Sequence, residues 1–443
     1  MAVVTAPGQM GKITLDTGLL YGGALSQGNV RLARMMATLD TIDLQGGAAT
    51  PGSNSHGLLR LYAGGDAEAG GTYPSASNYA TYSANNHSVY YEVPDGSDIL
   101  VKLGTVASMR NFTVELRNSA PVNIRSFDVY TKTRAGAVAN ESDINFHDAQ
   151  TQTIKAVAAG ATLNITNTSG NAIDYSGTLT LSGSGIVNAT GSGWGVGSTA
   201  DRTGAGAVNV NGGFALNVTG ETGGIYAVRD LNVARAEVTV SNGGQGINVF
   251  RNTSLTDGAA VTVQGASSGL QHAFDNSSGT LIMNNATLAL KNITCDTYGM
   301  YVSGAVSLTN STLLMDGMDT ANDNFHAQST FGMVGGSNVQ LRNLKGRSNG
   351  LYVTGAMTIT ASALSMEGNM DISGSIVHVN AALTVQTGST VSSNISGSAQ
   401  NGFFHRYTYT LNNSSFTAAG SGANQYLFAF GYERDGTACT VNT

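Results

Sequence analysis

GMYVSGAVSLTNSTLLMDG, residues 299–317, returns as GLYVTGAMTITASALSMEG at residues 350–368. Ten of the nineteen positions are identical, and six more exchange residues of one kind, such as Ser303 for Thr354 and Asp316 for Glu367. Inside each copy apolar and polar residues alternate: Met300 and Val302, then Val306 and Leu308, then Leu313 and Met315. Period-two alternation over short runs, punctuated by Gly and Ser, predicts short strands with one buried face each. Three such strands cannot bury that face alone, so the unit must stack on relatives of itself.

Weaker relatives lie on both sides. A marker strand starts at residues 176, 205, 228, 250, 278, 303, 336, 354 and 380, with steps of 29, 23, 22, 28, 25, 33, 18 and 26 residues. A second strand follows most markers, as in AEVTV, AAVTV and ATLAL, and a third often precedes, as in GIYAV and GINVF. Three strands in a unit of about 25 residues match one turn of a parallel β-helix, whereas a propeller blade needs about 40–50. The 33-residue step predicts the largest insertion near Asp316–Phe331.

Composition agrees. Charged residues are 11% of the chain, Gly numbers 58 and Pro 5, and 41% of residues are hydrophobic in a regular pattern. Abundant Thr, Val, Asn, Ser and Gly is the vocabulary of strands and tight turns. A net charge of −7 supplies no basic stripe for phosphates, which argues against nucleic acid. No run approaches 18 apolar residues, and the first thirty residues lack a charged start followed by an apolar stretch, so neither membrane insertion nor a secretory signal is expected. Cys295 and Cys439 lie far apart without metal-ligand spacing and read as unpaired thiols.

The expected organisation is an N-terminal arm or docking segment over 1–87, a β-rich cap or small domain over 88–152, a parallel β-helix over 153–400, and an aromatic C-terminal cap over 401–443. Gly28–Leu44 is the one stretch that reads as a helix of any length. Five tyrosines between Tyr73 and Tyr91 suit an arm that orders against an assembly partner or a second copy.

Residues 160–400, through the GxYVxGAxxxTxSxLxMxG units, resemble the right-handed parallel β-helix of phage tailspikes and fibres and of bacterial autotransporter passenger domains. The resemblance implies an all-β solenoid of about nine or more coils. It implies an extracellular place, on a virion or a bacterial cell surface, and contact with surface polysaccharide. It does not by itself fix an activity.

Three sets of residues are candidates for chemistry. DGMDTANDNFH puts Asp316, Asp319, Asp323 and His326 on one stretch, with Glu367 and Asp371 leaving a later coil nearby. Paired carboxylates are what glycoside hydrolysis uses, and the adjacent Arg342, Lys345 and Arg347 would suit an acidic sugar. The alternative is a solvated turn. Asp319, Asp323 and Asn324 also make a weak calcium set, without the spacing of an EF-hand. Tyr226, Asn248, Gln271, Tyr301 and Tyr352 read as an outward ladder that binds glycan or simply stiffens the coils. Trp194, the only tryptophan, sits in a Gly-rich turn. No cofactor motif is present. The resulting expectation is a non-enzymatic, receptor-binding β-helix of a phage appendage, with a bacterial adhesin and a polysaccharide-cleaving spike as rivals.

Overall fold

The computed structural model describes side chains over residues 165–419, apart from 169, 176–177, 199–205, 242–243, 266–271, 400–401 and 406; outside that span it describes strand backbone only. The chain forms two compact units, Met1–Glu221 and Thr222–Thr443. Both are parallel β-solenoid, about nine turns in all, with no helix in the described residues.

In the second unit one turn shows the plan. Tyr298–Val302 is followed by the marker strand Val306–Thr309, then Thr312–Asp316, then the two-residue strand Asp319–Thr320. Each pairs in parallel with its equivalent in the next turn: Met300 with Phe325, Val306 with Phe331, Leu313 with Val339, and Asp319 with Lys345. Inward positions make continuous columns. Met300, Phe325, Leu351, Val377 and Phe403 form one, and Leu308, Met333, Ile359 and Val385 another, all without solvent exposure. Each such side chain contributes about 1.5–3 kcal/mol on burial.

The register removes the long insertion. Val306, Phe331, Met357, Leu383 and Tyr409 stand in one column, so the turns step by 25 or 26 residues. The marker of the middle turn is FGMV at Phe331–Val334, and the stretch from Gly336 belongs to the following strand, Asn338–Arg342. The C-terminal cap is also revised. Asn401–His405, Tyr409–Asn412 and Ser415–Gly422 pair in parallel with the turn before, so the aromatic tail continues the coil. Phe403 and His405 are buried there because they occupy inward positions.

In the first unit, Thr162–Asn167, Ile186–Gly191 and Ala215–Gly220 stack in register. Parallel pairing begins well before residue 153. Asn111–Leu116 pairs with Thr151–Ala156, and Ser97–Leu103 with Pro121–Thr131. The strands before these pair antiparallel: Gly57–Ala63 with Ser88–Val93 and Asn111–Leu116, and Leu39–Gln45 with Ser97–Leu103. Antiparallel strands on a starting coil occupy edges that would otherwise be free to pair with another chain. Leu39–Gln45, LDTIDLQ, is therefore strand where helix was expected; the rest of 28–38 lies outside the described residues. Of the arm over 1–87 only three strands are described, and Cys439 lies outside the described residues.

Two devices turn the corners. After the marker strand, Asn285, Asn310, Ala361, Thr387 and Asn413 all have φ between 45° and 61°. Beside them runs a line of serines whose hydroxyls bridge turns. Ser311 N–H donates to Ser337 Oγ and Ser362 N–H to Ser389 Oγ, both at 3.3 Å, while Ser337 Oγ donates to the Val334 carbonyl at 2.7 Å. After the third strand a second left-handed column alternates Asn292, Gly317, Asn343 and Gly368. A Cβ at Gly317 would lie 2.6 Å from Asn292 Oδ1, and one at Gly368 2.3 Å from Asn343 Oδ1. Each asparagine side chain fills the space that its glycine neighbour leaves.

Thr387 is β-branched at φ 61° and exposed, a conformation that costs an L-residue roughly 1–2 kcal/mol. Thr387→Asn is expected to raise the urea midpoint, by about 1 kcal/mol of stability. Ser337→Ala strands the Ser311 N–H and is expected to cost about 1–3 kcal/mol in the same assay.

Candidate functional site

The outward position of the strand preceding each marker gives a single column. Tyr226, Asn248, Asp275, Tyr301, His326, Tyr352, His378 and Phe404 are successive partners in register. All eight are half-buried. The strand pattern places two consecutive inward residues before this one, so it must point out, and its neighbours above and below cover its faces. Ring centroids are 5.7 Å apart from Tyr301 to His326, 5.0 Å to Tyr352, 5.0 Å to His378 and 4.8 Å to Phe404. His272 and Tyr298, paired in register, widen the column. The Tyr298 ring lies 5.7 Å from Tyr301 and 4.9 Å from His326. Such tilted and edge-on pairs add about 0.5–1.5 kcal/mol each beyond burial.

Hydrogen bonds fix this face. The Tyr301 hydroxyl donates to the Gln328 side-chain oxygen. Burial, then the Asp275 carboxylate and Tyr298, push the Tyr301 phenol up from its ordinary value. His272 Nδ1 lies 3.4 Å from the Tyr298 carbonyl; burial lowers its pKa and that contact offsets part of the effect.

The acidic stretch is dispersed by the fold. His326 is a ladder residue on the strand Phe325–Ala327. Its Nδ1 stands 2.9 Å from Asp323 Oδ2, and the other Asp323 oxygen accepts from the Asn349 backbone and side-chain amides, both at 2.9 Å. Asp323 is buried. Burial alone would raise its pKa, but the bonds from His326, then Asn349 and Ser348, hold it below the ordinary value. An ionised Asp323 accepts only, so His326 carries its proton on Nδ1. Asn324, fully buried, donates to Thr320 Oγ1 at 2.6 Å and to the Lys345 carbonyl at 2.7 Å. Of the calcium set, only Asp319 has a side chain in the open, and no group of three acidic, His or Cys residues converges among the described residues. Asp316 takes the Asn343 amide at 2.9 Å in a different column, Lys291–Asp316–Arg342–Glu367, where Arg342 Nε meets Glu367 Oε2 at 3.1 Å. With both partners of that pair more than a third exposed, its contribution is small.

Asp319 and Asp371 do share a surface. They flank Lys345 in the column Thr294–Asp319–Lys345–Asp371, which floors an open groove of about 510 Å³ together with Asp296 and Arg347. Cys295, on the same short strand, faces inward; burial, with Asp296 adding to it, pushes the thiol up to about 12, so it is not a nucleophile.

Of the residues expected in the ladder, Tyr226, Asn248, Tyr301 and Tyr352 are aligned. Gln271 lies outside the described residues, and its expected place is held by Asp275, the register partner of Asn248. Trp194 belongs to the first unit, half-buried on Trp194–Gly197, with its backbone N–H donating to Asn171 Oδ1 at 2.8 Å. His326, His378 and Phe404 were not anticipated as ladder residues. Counting five residues back from the first buried marker residue finds each of them. No family model, curated protein or solved structure matches the chain.

The titrations give a stability profile. His405 is buried, and that burial lowers its pKa below 6.5 despite carbonyl contacts from Thr408 and Val379. The unfolded chain therefore takes up this proton first, and stability is lost as pH falls from 6.5 toward the folded value. Asp323, also depressed when folded, contributes stability above 3.8 that disappears as pH drops through its lower folded value. Thermal melting across pH should decline in two stages, and Asp323→Asn should remove the acid stage while leaving the first.

Proposed function

We propose that this chain is a non-enzymatic, receptor-binding solenoid of an extracellular assembly, of the phage fibre or spike kind, and that it lays an extended host-surface glycan along the ladder from Tyr226 to Phe404. The observation that carries the reading is the column of half-buried side chains, one per turn, in which phenol and imidazole alternate from Tyr301 to His378, with Phe404 beyond one end and Asp275, Asn248 and Tyr226 beyond the other. An extended polysaccharide repeats on a length close to the separation of neighbouring strands, about 4.8 Å. One turn can therefore serve one sugar. The outward edges of the rings offer apolar contact, and phenol, imidazole and amide groups hydrogen-bond hydroxyls. The ladder is preorganised by its own stacking, which lowers the entropic cost of binding.

Purified protein titrated with solubilised capsular and lipopolysaccharide O-chains in a surface-binding assay tests the reading. Tyr301→Ala combined with Tyr352→Ala should weaken binding about tenfold or more, from roughly 0.5–1.5 kcal/mol per aromatic contact. Unchanged affinity in that variant, or no binding to any polysaccharide, overturns it.

A further inference from the structure

The groove floored by Asp319, Lys345 and Asp371 has no part in the ladder, and its chemistry is different. Its floor is one outward column, Thr294–Asp319–Lys345–Asp371, set by the pairing of the short strands Thr294–Cys295, Asp319–Thr320 and Lys345–Gly346. Arg347 lies two residues beyond Lys345, and its backbone continues the same parallel pairing through Thr320. It therefore projects on the same side as Lys345, about 7 Å further along. Asp296 stands in the same relation to Thr294. All of these charged residues are exposed.

Their pairing is unusual. Lys345 is one strand spacing from a carboxylate on either side, yet among the described residues the side chains of Lys345, Arg347, Asp319 and Asp296 form no hydrogen bond or ion pair. Asp371 alone is engaged, by the Ser398 hydroxyl at 2.5 Å. The neighbouring column solves the same problem by pairing Arg342 with Glu367. The groove thus keeps two cations and two carboxylates unspent within one concave surface. A purely anionic ligand would meet Asp319, Asp371 and Asp296, and a purely cationic one Lys345 and Arg347. A ligand with both charges on one edge satisfies both sets at once.

The geometry points to a subsite for a zwitterionic sugar, its carboxylate received by Lys345 and Arg347 and its ammonium by Asp319. This inference rests on the glycan reading, because the groove strand Asp319–Thr320 runs directly into the ladder strand Phe325–Ala327 of the same turn. A glycan on the ladder can drop one charged unit into the groove.

Four monosaccharides that share one ring and differ in the free amine and the lactyl carboxylate test it by calorimetry or NMR titration of the full chain. Muramic acid carries the amine and the carboxylate, glucosamine the amine alone, N-acetylmuramic acid the carboxylate alone, and N-acetylglucosamine neither. Muramic acid should bind about tenfold tighter than either singly charged sugar, the size expected for one extra charged hydrogen-bonded contact. Lys345→Met with Arg347→Met should reduce muramic acid to the level of glucosamine, and Asp319→Asn to that of N-acetylmuramic acid. Equal binding of muramic acid and either singly charged sugar, no binding, or indifference to both variants overturns the inference. The Tyr301→Ala, Tyr352→Ala variant should retain muramic acid. Loss of polysaccharide binding with muramic acid binding intact removes the ladder reading and not this one; polysaccharide binding without a muramic acid preference does the reverse.

Discussion

Parallel, in-register pairing between successive turns is the constraint on which everything else depends. A strand spacing of about 4.8 Å brings each side chain against the same position of the turns before and after. A favourable contact at one position is then repeated down the unit, and so is an unfavourable one. The inward columns use this to build a core from Val, Leu, Met and Phe. The outward columns turn the same rule into surfaces: a line of rings, a line of charges and a line of serines.

The corners obey a stricter form of the rule. A buried backbone N–H at a bend needs an acceptor, and the serine line provides one by letting each hydroxyl receive from one turn and donate within its own. A left-handed residue is needed beside it in almost every turn. Asn carries that conformation at little cost, whereas Ala361 and Thr387 carry it at a penalty. The fold tolerates those penalties because the packed columns on both sides leave the chain no other path.

Much of the architecture was legible because the alternation of Met300, Val302, Val306 and Leu308 states which face is buried. The middle turn departs from that pattern for an equally physical reason. Its marker, FGMV, begins with Phe331 and has Gly332 where the flanking turns carry Ser307 and Thr358, so it lacks the lead that identifies those two. A register that starts the marker at Gly336 puts His326 in a loop, whereas it is the partner of Tyr301 and Tyr352. The aromatic tail was read as a cap because Phe403, Phe404 and His405 depart from the usual residue types, yet their alternation is intact. The groove could not have been found this way. The acids and bases that meet there are 26 residues apart in sequence, and only the pairing of two-residue strands brings Asp319, Lys345 and Asp371 into line.

The Asn–Gly corner carries one further implication. Asn292 and Asn343 resemble each other, as do Gly317 and Gly368, and the same alternation of like with unlike appears in Tyr301, His326, Tyr352 and His378 and in Lys291, Asp316, Arg342 and Glu367. Neighbouring laps are complements, and copies occur every second lap. The heritable module of this part of the molecule is therefore a doublet. Adding or losing a doublet preserves every match along the stack, whereas a change by one lap sets cation on cation, ring type on like ring type, and an asparagine where there is no hollow to receive it.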